Sequence, residues 1–286
     1  MNTRLVTKKI KSVSNVKKIT KAMQLVSAVK MRKAQQVAQE GKPYQEFLQQ
    51  AIQRLASGIS TQDNPLLSPN TTSKKNLIIV FTSQKGLCGS FNMNILRHLV
   101  KHNVLGDSDF VTVGKKGVEV LTQLKASIVA DYSGLADEDT ISAIFELALQ
   151  KFLNGEYKNV FVAYNKFVNT LRSDPSMDRV LPFAVESLET KEVKEALKEN
   201  EYLIEPKSPH LIDELLKSYI ESTLRFALLQ SYAGEHSARM IAMKNATDNA
   251  SEVILNLTSL RNKLRQQSIT YELLDMITAK ESVEIN

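Results

Sequence analysis

Residues 243–274 read MKNATDNASEVILNLTSLRNKLRQQSITYELL. Steps of three and four residues pick out Met243, Ala246, Ala250, Val253, Leu257, Leu260, Leu264, Gln267, Tyr271 and Leu274, the spacing of a coiled-coil seam. An earlier series, Tyr219, Thr223, Phe226, Gln230, Ala233, Ser237 and Met240, alternates in the same way. It joins the later one through consecutive three-residue steps, which overwind a supercoil locally. Glycine and proline, the strongest breakers, are nearly absent from both ends: none precedes Gly41, and only Gly234 follows Pro209. Two long helices are therefore predicted, the first from about Thr3 to Ser57 with a bend at Gly41–Pro43, where proline removes a backbone donor.

Helices at opposite ends of one chain pair antiparallel when the residues between them fold back. From about Lys74 to Pro206 the pattern alternates strand and helix. An apolar run NLIIVFTS is followed by a helix near Phe91–Asn103, a strand DFVTVG, a helix from Lys115, a short strand near Ser127–Ala130, a helix around Thr140–Phe152 and a strand NVFVAYNKF. This alternation predicts a largely parallel α/β sheet. RSDPSMDRVLPF reads as a turn into an added antiparallel strand, with Asp174 and Asp178 flanking Pro175 as turn residues, and YLIEP as a last short strand. The expected fold is an α/β domain plus a long antiparallel coiled coil: a helical hairpin with an inserted Rossmann-like domain. Its parts are an N-terminal coiled-coil helix over 1–60, a linker over 61–73, the α/β domain over 74–206 and a C-terminal coiled-coil helix over 207–286.

With 43% hydrophobic and 24% charged residues in 286, the composition is that of a globular protein. The single cysteine, Cys88, cannot form an intramolecular disulfide, and no run approaches the ~18 apolar residues that span a bilayer. Charge is unevenly placed. Residues 1–39 hold ten Lys or Arg and no Asp or Glu, and the first carboxylate is Glu40. Such a start resembles a transit peptide, but it is Lys-rich and its helical signal runs unbroken past residue 30, as expected of the mature structure. Ten cations without interspersed anions repel one another and gain no i,i+4 pairs, so a compensating surface is expected. Nucleic-acid phosphates, an anionic membrane and an acidic protein face are the three options. Pairing within the chain disfavours the DNA readers that join a basic region to a parallel zipper.

No catalytic constellation emerges. FTSQKGLCGSFN (Phe81–Asn92) puts Gly86 and Gly89 between a strand and a helix, yet it matches neither GxGxxG nor GxxxxGK[ST], and a tight turn accounts for it. His98 and His102 lie four apart without the glutamate of HExxH or a third ligand, as a surface pair would. Asp137, Glu138 and Asp139 read as helix capping, and Cys88 as a small core residue.

KITKAMQLVSAVKMRKAQ (Lys18–Gln35), FTSQKGLCGSFN and EHSARMIAMKNATDNASEVILNLTSLRNKLRQQSIT (Glu235–Thr270) together resemble the gamma subunits of F-type ATP synthases, in their bacterial form, across essentially the whole chain. The resemblance implies a non-catalytic central-stalk rotor, without cofactor, metal or small-molecule substrate. Such a rotor couples proton flow through the membrane c-ring to ATP synthesis at the beta subunits and regulates ATPase activity and proton flow. It implies alpha, beta, epsilon and delta subunits and the c-ring as partners, no nucleic acid, and a peripheral place on the cytoplasmic face of the bacterial inner membrane. By motif, Lys21, Met23, Lys30 and Arg32 would face acidic loops of the beta subunits. Arg265, Gln266, Thr270 and Glu272 match the family's RQ..IT.E contact region, and Gly86 and Gly89 its structural turn. Ser83, Gln84, Tyr271 and the tail TAKESVEIN depart from the family pattern. The cysteine pair of chloroplast members is absent.

Overall fold

The computed structural model describes residues 3–56, 64–68, 70, 73–102, 106–134, 140–183 and 209–284. Its elements run α1 (Thr3–Ala56), β1 (Asn76–Phe81), α2 (Phe91–Lys101), β2 (Ser108–Val113), α3 (Lys115–Gln123), β3 (Ser127–Asp131), α4 (Thr140–Leu153), β4 (Asn159–Asn169), β5 (Arg172–Leu181) and α5 (Pro209–Glu284). The expected caps Asp137–Asp139, the strand YLIEP, the end of α1 at Ser57 and residues 61–63, 69, 71 and 72 of the linker lie outside the described residues. The chain divides into two compact units, Met1–Ser27 with Arg239–Asn286, and Ala28–Ala238.

The larger unit holds a sheet ordered β3-β2-β1-β4-β5, parallel except for β4 with β5. Leu77 to Phe81 of β1 are buried on both faces, which is why NLIIVF reads as a continuous apolar run and not as an alternation. One face packs Ile78, Val80 and Phe110 with Ile95, Leu96 and Leu99 of α2 and Leu121 of α3. The other packs Leu77, Ile79, Phe81 and Val111 with Ile141, Ile144 and Ala148 of α4 and with Leu216, Ile220, Leu224, Ala227 and Leu228 of α5.

α5 also grips the β4–β5 hairpin. The Phe167 amide donates to Gln230 Oε1 at 3.2 Å, and Ser237 Oγ donates to the Thr170 carbonyl at 2.5 Å. Between them sits Gly234, where a Cβ would stand 3.3 Å from Phe91 Cε2 and 3.4 Å from Ser173 Cβ. Gln230, Gly234 and Ser237 fall at i, i+4 and i+7, one stripe of the helix. The segment expected to be a turn, RSDPS, is strand instead. Asp174 is held 2.7 Å from Arg172 Nε, and Asp178 accepts from Tyr164 Oη at 2.9 Å, both within β5. Pro175 is tolerated there because, among the described residues, β5 is the edge strand of the sheet, where a missing N–H costs no ladder bond on the outer side.

In the smaller unit the two helices pair antiparallel, but the seam on α5 differs from the expected one. Met243, Thr247 and Ala250 are buried and Ile254, Leu257, Arg261 and Leu264 half-buried, whereas Val253 and Leu260 face solvent, as do Gln267, Tyr271 and Leu274. Alternate positions thus move one residue onward. The reason is a buried hydroxyl pair: Thr20 Oγ1 and Thr247 Oγ1 lie 2.8 Å apart. On α1 the matching series is Thr3, Val6, Ile10, Val13, Lys17, Thr20, Gln24 and Ser27. With Thr20 opposite Thr247, antiparallel geometry brings Ile10 level with Leu257 and Val13 with Ile254.

At the start of β2, Asp109 accepts from Tyr157 Oη at 2.9 Å and lies 3.4 Å from Lys75 Nζ. Burial alone would push its carboxyl up. Hydrogen bonds from Ser127 and Tyr157 and the charge of Lys75 outweigh it, so Asp109 titrates below the usual range, while burial and the Asp109 contact push the Tyr157 phenol up.

Two predictions follow from this packing. Gly234→Ala should leave stability within about 1 kcal/mol, its helix propensity offsetting the tightened contacts, whereas Gly234→Leu should cost about 1–3 kcal/mol in thermal melts. For Asp109 the folded pKa is depressed, so its stabilisation is complete above an unfolded pKa of about 4 and is lost as pH falls through the folded value. Tyr157→Phe should flatten the stability–pH profile in that acid window, and an unchanged profile would argue against the pairing.

Candidate functional site

The acid-free start of α1 presents its charge to solvent. Lys8, Lys9, Lys11, Lys18 and Lys21 are exposed in the smaller unit, and Lys30, Arg32 and Lys33 are exposed in the larger one. None of these eight forms an ion pair among the described residues; Lys21 Nζ donates to Gln24 Oε1 at 3.3 Å. Met23 is half-buried beside the seam position Gln24, so its thioether lies at the margin of the pair and not in its middle.

Beyond Leu264 the character of α5 changes. Every residue from Arg265 to Lys280 is exposed, including Ile269, Tyr271, Leu273, Leu274, Met276 and Ile277. With Thr20 opposite Thr247, Thr3 comes level with Leu264, so this stretch extends past the described start of α1. Arg265, Gln266, Thr270 and Glu272 are all on it, and Thr270 Oγ1 donates back to the Gln266 carbonyl at 2.9 Å. Met23 is level with residue 244 of α5, so this group and the Lys21–Met23 group lie roughly 30 Å apart along the helix at 1.5 Å per residue. The structure does not gather the expected contact residues into one pocket. It strings them along two helices.

At the β1–α2 turn the left-handed backbone falls on Leu87, with φ 63°, and Gly89, with φ 59°. Asn92 ties the loop together. Its Oδ1 accepts from the Ser83 amide at 3.0 Å, and its Nδ2 donates to Ser83 Oγ at 2.7 Å and to Cys88 Sγ at 3.3 Å. Cys88 is buried as expected of a core residue. Gly86 contributes room: a Cβ there would lie 3.9 Å from Lys116 Cε.

A strand-to-helix turn in an α/β sheet holds phosphate when the helix amides are free. At β2–α3 they are not. Thr82 Oγ1 lies 2.9 Å from the Gly114 carbonyl and 3.2 Å from the Val113 carbonyl, and it accepts from the Gly117 amide at 2.9 Å. The fit is close enough that a Cβ on Gly114, whose φ is 103°, would stand 2.1 Å from the Thr82 carbonyl oxygen, and one on Gly117 2.7 Å from Thr82 Oγ1. The threonine hydroxyl occupies the place of a ligand oxygen. Nothing in the sequence singled out Thr82, nor Thr20 or Thr247, because a threonine's role depends on which backbone or hydroxyl it meets across the fold.

The His98 and His102 rings meet at a tilt of 58° with centroids 4.4 Å apart, and burial, His102 and Lys101 together lower the His98 pKa. Among the described residues no group of three potential metal ligands occurs, and no helix is long and apolar enough to cross a membrane.

A family profile described as ATP synthase matches residues 2–283. The ATP synthase gamma chain of Verminephrobacter eiseniae is 38% identical over 278 residues, covering 94% of each chain. That of Cupriavidus necator is 36% identical over 284 residues, covering 96% of this chain and 97% of the relative. Among solved structures, a chain of the Euglena gracilis mitochondrial ATP synthase OSCP/F1/c-ring assembly shares the fold with a TM-score of 0.69 at 16% identity, covering 98% of this chain and 94% of that one. A chain of the Tetrahymena thermophila mitochondrial ATP synthase central stalk/c-ring structure gives 0.58 at 25% identity, covering 80% and 99%.

Because Thr82 fills the amide cradle at β2–α3, ATP added to the purified chain should leave the hydrogen exchange of that turn unchanged. Thr82→Ala, which leaves the Gly117 amide only its longer bond to the Gly114 carbonyl at 3.2 Å, should cost about 0.5–1.5 kcal/mol in stability. Protection of the β2–α3 turn by ATP in the unaltered chain would contradict the assignment of the hydroxyl.

Proposed function

Because this chain belongs to the ATP synthase gamma-chain family, we propose that it is the central-stalk rotor of its complex, itself non-catalytic, turning with the c-ring inside the alpha and beta subunits. The observation that carries this reading is the stretch Arg265–Lys280, where six large apolar residues stand exposed on a part of α5 that runs past the described start of α1. A contiguous apolar surface of this kind calls for a surrounding protein. The ring of alpha and beta subunits is such a sleeve. Arg265, Gln266, Thr270 and Glu272 then face it, and the delta and epsilon subunits complete the soluble partners. The complex sits on the cytoplasmic face of the bacterial inner membrane, to which this chain is bound only through its partners.

The cations of α1 act as a coupling surface. Lys21, Met23, Lys30 and Arg32 meet acidic loops of the beta subunits, and unpaired surface charge suits that task. A rotor passes three chemically similar beta subunits in turn, and attraction between exposed charges is short-ranged in salt and tolerant of direction, whereas a desolvated bidentate pair would hold the shaft at one angle. Torque reaches the catalytic sites because an asymmetric shaft contacts the beta conformations unequally, and a shaft can shift their equilibrium only by that difference.

Purification of the tagged protein at native levels should bring down alpha, beta and epsilon subunits, and their absence would sink the rotor reading. Met23→Lys adds a cation at the margin of the helix pair without removing core volume. It should lower the number of protons pumped per ATP hydrolysed in membranes while leaving assembly intact. An unchanged ratio would place Met23 away from the coupling surface.

A further inference from the structure

Along α1 in the larger unit, Met31, Ala34, Ala38, Leu48 and Ile52 are buried and Gln45 is half-buried. These positions follow steps of three and four with one gap. Between Ala38 and Gln45 the alternation calls for residue 41, and residue 41 is glycine. A knob of no size stands where a side chain should enter the facing helix. The consequence is visible: a Cβ on Gly41 would meet nothing within 4 Å, and the six consecutive residues Gln39–Tyr44 are all exposed. A cleft of about 280 Å³ opens at this level, lined by Val37, Ala38, Tyr44 and Gln45 of α1 and by Ser222 and Phe226 of α5.

Two positions further on, Pro43 lies inside the helix. It has no N–H to donate to the Gln39 carbonyl, and its ring crowds that carbonyl. Missing knob and missing hydrogen bond thus coincide within one turn, on a helix that is otherwise packed on both sides of the gap.

We propose that Gln39–Tyr44 is a bending point built into α1, at which the helix yields before the packed turns on either side. The functional consequence rests on the rotor reading: a shaft loaded with torque between its ends deforms first here. The bending point itself stands on the geometry of this chain alone. Relative to two alanines, a glycine and a proline in a helix interior weaken the local helix by a factor on the order of a thousand, so local opening at this turn is strongly favoured over its neighbours.

Hydrogen exchange of the assembled complex, read by mass spectrometry on peptides of α1, tests the proposal. In the unaltered chain amides 44–47 should exchange faster than amides 48–53. The double variant Gly41→Ala, Pro43→Ala, whose first new methyl enters open space and whose second restores a donor, should slow them at least tenfold, within the thousandfold bound above. Gly41→Leu, which fills the cleft and keeps Pro43, should slow them by a smaller factor. Equal protection of the two peptides in the unaltered chain, or exchange unmoved by the double variant, would overturn the bending point; no effect from Gly41→Leu would overturn the part played by the vacant seam position. In single-molecule rotation the angular fluctuation of the resting shaft should narrow in the double variant, and an unchanged width would overturn its role in shaft compliance. Failure of the rotor reading is distinguishable, since it shows as absence of alpha and beta subunits from the preparation while the exchange experiment proceeds on the full chain.

Discussion

The larger unit depends on one helical segment being covered from two sides. Between about residue 211 and residue 238, α5 gives Leu216, Ile220, Leu224, Ala227 and Leu228 to the core beneath the sheet, while Thr223 accepts a hydrogen bond from Gln45 of α1 at 3.4 Å. A helix enclosed in this way cannot be amphipathic in the ordinary sense, because both its faces must be apolar or internally satisfied. It also cannot shift along its axis without uncovering one face or the other. The sheet, α4 and α1 are thereby fixed to a single element.

The contacts with the β4–β5 hairpin extend that fixation. Gln230, Gly234 and Ser237 place a side-chain acceptor, a bare backbone and a side-chain donor in one stripe, so the hairpin meets α5 by hydrogen bonds at both ends and by close packing in the middle. Hydrogen bonds resist sliding, and the absence of a Cβ lets the surfaces approach. Since the same helix continues to Arg265 and beyond, a displacement of the α/β domain acts on α5 over several turns and not at a single point. In a rotor, that is where load passes from domain to shaft.

Much of this was readable in the sequence, and what was not had a common cause. The long helices were legible because glycine and proline are so scarce at the ends, and the parallel sheet because NLIIVF and DFVTVG are runs too apolar for a surface strand. The seam of α5 was legible only at every second position. Met243, Ala250, Leu257 and Leu264 are where the spacing puts them, but Ala246, Val253 and Leu260 outrank Thr247, Ile254 and Arg261 on apolarity or fit equally well, and periodicity has no access to a hydroxyl waiting on the other helix. Likewise Asp174, Pro175 and Asp178 have the composition of a turn and the position of an edge strand. Local chemistry was the same in both cases; only the neighbour decided. The proposed contact residues Lys21, Met23, Arg265 and Thr270 could be named from motif resemblance alone, because side chains outside the buried seam leave no periodic trace.

The threonine seated at the start of α3 has a physiological meaning. Close to catalytic sites, nucleotide is always at hand, and any protein that binds it in one conformation better than in another has its balance of conformations set by the nucleotide supply. By donating to Thr82 and to the Gly114 carbonyl, the Gly117 amide is satisfied from within, and this turn offers a phosphate one donor fewer. An architecture shared with many nucleotide enzymes thus has its β2–α3 turn closed by a side chain of its own.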